Sequence, residues 1–91
     1  MRELMDEGLA AEDAAAIRTT LAATPGVIDL HDLRTRRMGH RVLVDVHLQV
    51  DGNITVFAGH EIGEDARHRA IAAHPEVLDV LIHLDAENDA L

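Results

Sequence analysis

The nine residues Val77-Leu78-Asp79-Val80-Leu81-Ile82-His83-Leu84-Asp85 decide how the rest of the chain is read. Taken as an extended strand, they put Leu78, Val80, Ile82 and Leu84 on one face and Asp79, His83 and Asp85 on the other, because strand side chains alternate. The first face suits a core. The second offers an imidazole and a carboxylate two residues apart, and both ligate metal once the histidine is neutral and the aspartate ionised. A strand does not need such a pair to be stable, so other ligands that converge on it become the question.

Two further strands lie upstream. Val42, Val44, Val46, Leu48 and Val50 alternate with Leu43, Asp45, His47 and Gln49, the clearest strand pattern in the chain. Val27 to Arg37 reads as the first strand, with Ile28 and Leu30 facing one way and Asp29, His31 and Leu33 the other. Met38-Gly39-His40 forms a short turn between them, Gly39 being free to take a positive φ. Asp51-Gly52-Asn53 closes the second strand.

Helices fill the remaining segments. Ala11 to Ala23 is alanine-rich, carries Glu12 and Asp13 at its start and turns Ala14, Ile17 and Leu21 inward. Thr24-Pro25-Gly26 ends it. Thr55 caps a second helix that runs to about His74, where Pro75 prevents continuation. Its inward stripe is Gly59, Ile62, Gly63, Ala66, Ala70 and Ala73, small residues that let the helix sit close to what it covers. His60, Glu64 and Arg67 lie on one flank. The order α-β-β-α-β predicts an α+β two-layer sandwich, a three-stranded sheet with both helices on its apolar face.

Composition narrows the function. Ninety-one residues make one domain with a modest core. Phe57 is the only aromatic residue, so the core is aliphatic and stacking platforms for bases or sugars are missing. A formal net charge of −9 disfavours nonspecific adhesion to nucleic acid or anionic membranes and favours cations. There is no cysteine, hence neither disulfides nor thiolate metal sites, and the chain suits a reducing compartment. No apolar run approaches the roughly 18 to 20 residues of a membrane span, and the N-terminus does not read as a signal peptide. Seven histidines are the oddity to explain.

Four of the candidate ligands share one parity. His31 on the first strand, His47 on the second, and His83 with Asp85 on the third fall on the sheet face away from the helices. That set is enough for a closed or nearly closed zinc-type site, and a bridging Asp85 could hold two ions. His60 is a fifth candidate, which a helix on the opposite face could bring in only near the sheet edge or from a second subunit. Asp45 stands beside the cluster as a partner that would orient an imidazole. His40, His68 and His74 read as structural or solvated. Arg34, Arg36 and Arg37 form the only basic run, fit to protect a strand edge or to meet a membrane domain or lipid headgroups. Gly59 and Gly63 are packing positions, since the strand, glycine-rich turn and helix of a phosphate loop are missing.

Four blocks in order, Leu30-His31-Asp32-Leu33-Arg34-Thr35-Arg36, Val44-Asp45-Val46-His47-Leu48-Gln49-Val50, Gly59-His60-Glu61-Ile62 and Ile82-His83-Leu84-Asp85, carry a resemblance over essentially the whole chain. They resemble the cytoplasmic C-terminal domain of cation diffusion facilitator transporters, and Glu3-Leu4-Met5-Asp6 is similar to the segment that joins that domain to the last membrane helix. The resemblance implies a ferredoxin-like, metallochaperone-like fold in a homodimer that regulates a proton-coupled divalent-cation exporter. It divides the chain into a linker from a transmembrane domain (1–10), the regulatory domain (11–85) and an acidic tail (86–91). In zinc-exporting members the positions matching His31, His47, His60, His83 and Asp85 bind a pair of zinc ions near the dimer interface, and all five residue types are present. The chain ends sooner after its third strand than longer members do.

The resemblance implies Zn2+, while nitrogen and carboxylate ligands of this kind are also compatible with Cd2+, Co2+, Ni2+, Mn2+ or Fe2+. No nucleic acid and no small-molecule substrate are expected. A metal-dependent enzyme is the competing class, but no nucleophile–base pair or acid/base site is signalled. A stand-alone soluble metal-binding or interaction module is the third reading.

Overall fold

The computed structural model describes residues 9–87. The stretch Met1–Gly8, most of the expected linker, and the last four residues of the expected tail lie outside the described residues. The elements run α1 (Ala11–Ala22), β1 (Asp29–Met38), β2 (Arg41–Asp51), α2 (Val56–Ala73) and β3 (Val77–Glu87). None of the described helices is long and apolar enough to cross a membrane.

β1 and β2 form an antiparallel hairpin through Gly39, which has φ +67°. β2 then connects through α2 to β3, which returns parallel to it, so β2 is central in the order β1-β2-β3. α2 starts where the Thr55 hydroxyl accepts a hydrogen bond from the Ala58 N–H at 2.9 Å.

The core lies between the sheet and the helices. Every apolar residue of β2 from Val42 to Val50 that was expected to face inward is buried, while Leu43, Asp45, His47 and Gln49 are half-buried on the opposite face. Ile17 and Leu21 of α1 and Ala66 and Ala70 of α2 close the core from the helix side. Gly59 and Gly63 bring α2 against Leu84 and Ile82 of β3. Gly26, at φ +95°, passes beneath Ile62 so closely that an added Cβ would meet its Cδ1 at 2.6 Å. Only glycine satisfies both the angle and the space.

Two irregularities depart from simple alternation. In β1 the pairing shifts between His31 and Arg34, so that Asp32 and Leu33 together oppose Val46. Asp32 takes φ +55°, a conformation aspartate tolerates better than most residues. The extra residue turns Leu33 into the core, where it is 2% exposed, and not onto the face of His31 as strict alternation requires. In β3 the pairing steps from Val42↔Val77 to Leu43↔Asp79, leaving Leu78 as the additional residue. Val77 therefore takes the core position and Leu78 is 41% exposed, against the sequence expectation.

Smaller departures follow from the limits of the layer. Ile28 precedes β1 and is exposed, and Ala73 lies on the surface at the last residue of α2. β3 continues through Ala86 and Glu87, beyond the expected strand end, because both still pair with Val50 and Asp51 of β2.

Candidate metal centre

The face of the sheet away from the helices carries an aligned row of imidazoles. His31 pairs directly with His47 across the antiparallel ladder, and His47 pairs with His83 across the parallel one. The rings stack at 5.4 Å and 4.7 Å between centroids, with interplanar angles of 18° and 16°. Such spacings follow from the separation of neighbouring strands, about 4.7–4.9 Å. The bulge at Asp32 begins directly after His31, so His31 stays in this row while Leu33 reaches the core.

Asp85 lies two residues beyond His83, opposite Gln49. Its Oδ2 is 3.1 Å from His31 Nε2 and also 3.1 Å from His47 Nδ1. Its Oδ1 is 3.4 Å from the latter nitrogen. One carboxylate oxygen thus stands within 3.1 Å of ring nitrogens from two different strands, hydrogen-bonded to that of His47. One ligand atom each from His31, His47 and Asp85 lies within 4.8 Å of the others. For zinc–ligand bonds of about 2.0–2.1 Å, ligand atoms at the corners of a tetrahedron stand about 3.3 Å apart. The two nitrogen–oxygen separations already match that edge, so this donor set fits a divalent ion of zinc-like size. All three side chains are partly open to solvent, which leaves room for a further ligand.

His83 is held differently. Its Nε2 is 2.9 Å from Asp45 Oδ1, and the three-residue ligand group does not include it, although its ring stacks on His47. Asp45 is therefore in contact with an imidazole of the row. His60 is exposed on α2 in the helix layer and is likewise outside the ligand group.

The other histidines have separate surroundings. His74 Nε2 meets the Thr20 hydroxyl at 2.8 Å and ties α2 to α1. His68 is 3.8 Å from Glu64, and His40 is exposed at the hairpin turn.

Asp79 shares the parity of His83 and Asp85, yet it pairs across the sheet edge with Arg67 of α2, whose Nε donates to Oδ1 at 2.8 Å. That hydrogen bond, helped by one from the Val80 N–H, holds the Asp79 carboxyl below the usual aspartate range and raises the Arg67 guanidinium. Neither the Arg67–Asp79 contact nor the division of the face into a His31–His47–Asp85 cluster and an Asp45–His83 pair could be read from parity. The proximity of Asp45 to the row was the available signal.

Comparison with known proteins gives a consistent picture. The family described as "Cation efflux protein, cytoplasmic domain" matches residues 9–87. Metal tolerance protein C1 of Arabidopsis thaliana is 41% identical over 83 residues, which cover 91% of this chain and 18% of that protein. The cation-efflux pump FieF of Yersinia pestis (strain Pestoides F) is 33% identical over 85 residues, covering 93% of this chain and 28% of the pump. The chain therefore spans 18% to 28% of the length of these relatives. Among solved structures, MamM-CTD superposes with a TM-score of 0.79 at 24% identity, over 86% of this chain and all of that one. A nickel form of a MamM CTD variant gives a TM-score of 0.78 at 23% identity, over 85% and 99% of the two chains. These likenesses give the same α-β-β-α-β fold.

Proposed function

The chain belongs to the cation efflux protein cytoplasmic-domain family, and from that premise we propose that it is the regulatory, metal-sensing dimerisation domain of a divalent-cation exporter, zinc being its first-choice ion. The observation that carries this reading is the convergence of His31 Nε2, His47 Nδ1 and a carboxylate oxygen of Asp85. The exporter is proton-coupled and is joined to this domain through the lead-in at residues 1–10. MamM CTD structures in nickel, manganese and cadmium forms support a site class that admits several divalent ions.

In this reading His31, His47 and Asp85 would hold the ion through one ring nitrogen each and a carboxylate oxygen, the rings binding in their neutral form. His83, held by Asp45, stands beside it as a further ligand, and His60 joins from the helix layer of a second copy. Two copies that each carry a formal charge of −9 repel. A dication near their contact lowers that repulsion, and the dimer tightens only so far as the ion binds the closed state better than the open one. Closure favours transport. No substrate turnover is expected of such a domain, so a hydrolysis screen with zinc present should remain blank.

The deciding experiment is calorimetric titration of the chain with zinc, alongside small-angle scattering. One or two ions per protomer, compaction of a dimer, and loss of both in His47→Ala and in His83→Ala/Asp85→Ala would support the proposal. Equal binding by wild type and variants would remove the sheet face as the site.

A further inference from the structure

The stretch Arg34-Thr35-Arg36-Arg37-Met38-Gly39-His40-Arg41 holds four of the chain's eight Lys and Arg residues and no carboxylate, although the whole chain is strongly acidic. It forms the end of β1, the hairpin turn and the first residue of β2. Arg34, Arg36, Arg37 and His40 are exposed, as is Met38 at 45%. Among the described residues, Arg34, Arg36 and Arg41 take part in none of the arginine ion pairs, which include those of Arg67 and Arg69. Arg41 Nε is enclosed without a partner. The Arg37 guanidinium donates to the Gly39 carbonyl at 3.2 Å, which braces the turn.

The topology fixes which end of the molecule this tip occupies. Ile62 of α2 lies against Gly26, just beyond the end of α1, whereas His74 after α2 bonds Thr20 within α1. The two helices are therefore antiparallel. α2 ends beside the start of β3, where the Glu76 carbonyl accepts from the Val42 N–H, one residue after Arg41. It follows that α1 begins at the same end of the molecule as the hairpin turn. The chain enters its fold beside the arginine tip.

We infer that the β1–β2 turn docks on an anionic lipid surface, with guanidinium groups on headgroup phosphates and Met38 entering the interface. The inference rests on the preceding reading, in which the lead-in joins the domain to a membrane part, because that tether brings this end to the bilayer. Guanidinium groups suit phosphate oxygens through paired N–H donors, and basic clusters beside a membrane anchor are drawn to anionic leaflets. The net charge opposes adhesion of the domain as a whole. Glu12, Asp13 and Glu76 also lie toward this end, the first two in the helix layer. The attraction is accordingly that of a local patch, reaching about 10 Å in 0.1 M salt and dependent on orientation.

The test is co-sedimentation of the 91-residue chain, without metal, with vesicles of phosphatidylcholine alone or mixed with phosphatidylglycerol. At low salt, partition onto the anionic vesicles should exceed that onto neutral ones by about tenfold or more. It should vanish in Arg36→Glu/Arg37→Glu and in high salt, and survive in Arg36→Lys/Arg37→Lys, with circular dichroism verifying that both variants fold. Equal partition onto both vesicles, or partition unchanged by charge reversal, overturns lipid docking. So does release by inorganic phosphate at constant ionic strength, which would assign the patch to a soluble phosphate. These variants leave His31, His47 and Asp85 intact, so zinc calorimetry on the same samples separates failure of docking from failure of the metal site.

Discussion

One carboxylate oxygen serving two imidazoles makes Asp85 the most sensitive position of the sheet face. Asp85→Asn keeps an acceptor but loses the charge and one of the oxygens that would hold a cation. Asp45→Asn only loosens His83 and should weaken zinc binding about 10–100-fold, as expected when a group that orients a ligand is altered. Asp85→Asn should exceed that loss, and calorimetry of the two variants side by side would rank them. The Arg67–Asp79 pair supplies a separate prediction in the absence of metal. Asp79 has a depressed carboxyl in the folded chain. Its contribution to stability is therefore complete above the unfolded-state value of about 3.9 and is lost as pH falls through the lower folded value. Asp79→Asn should flatten the acid limb of the stability profile, read as urea midpoints from about pH 5 downward. An unchanged limb would mean that the contact adds nothing in solution.

At the level of elements, β2 was legible because its alternation is unbroken from Val42 to Val50, and the histidine row followed from parity. α2 was legible from Thr55, Pro75 and the small-residue stripe, and α1 from Glu12, Asp13 and the Thr24-Pro25-Gly26 stop. What parity could not reveal were the two inserted residues, since a bulge is a property of strand pairing and not of one strand alone. Asp32 carried a weak sign of it, as aspartate tolerates positive φ, but many aspartates in strands are regular. Leu78 carried none. The bulge has a cost that can be measured. Asp32→Val puts a β-branched side chain at φ +55° and should lower stability by about 1–2 kcal/mol in urea unfolding. Leu33→Ala, which empties a fully buried site of the core cluster, should cost about 2–5 kcal/mol. If Leu33→Ala behaves as a surface change, the assignment of the bulge is wrong. Site details were hidden for a related reason: which imidazole turns to which carboxylate depends on side-chain angles, and the sequence held two aspartates within reach of three histidines.

The described residues form a slab of 40 × 30 × 18 Å, one broad face closed by helices and the other bearing the imidazole row. Ion binding to the native face alone should raise stability by about 2.7 kcal/mol at a free zinc concentration one hundred times the dissociation constant. Because protons compete for imidazole nitrogen, that increment should shrink as the solution is acidified, which thermal unfolding with and without zinc would measure. An increment that does not vary with pH would exclude histidine ligation. The alignment of His31, His47 and His83 across three strands has one more consequence. Sliding β3 by a single residue against β2 would exchange its two faces, sending His83 and Asp85 beneath the helices and raising Leu84 in their place. A chain that zipped up one notch off would then lack the triplet altogether. An ion present during folding would act as a proofreader, rewarding only the correctly threaded sheet and drawing mispaired chains back to it.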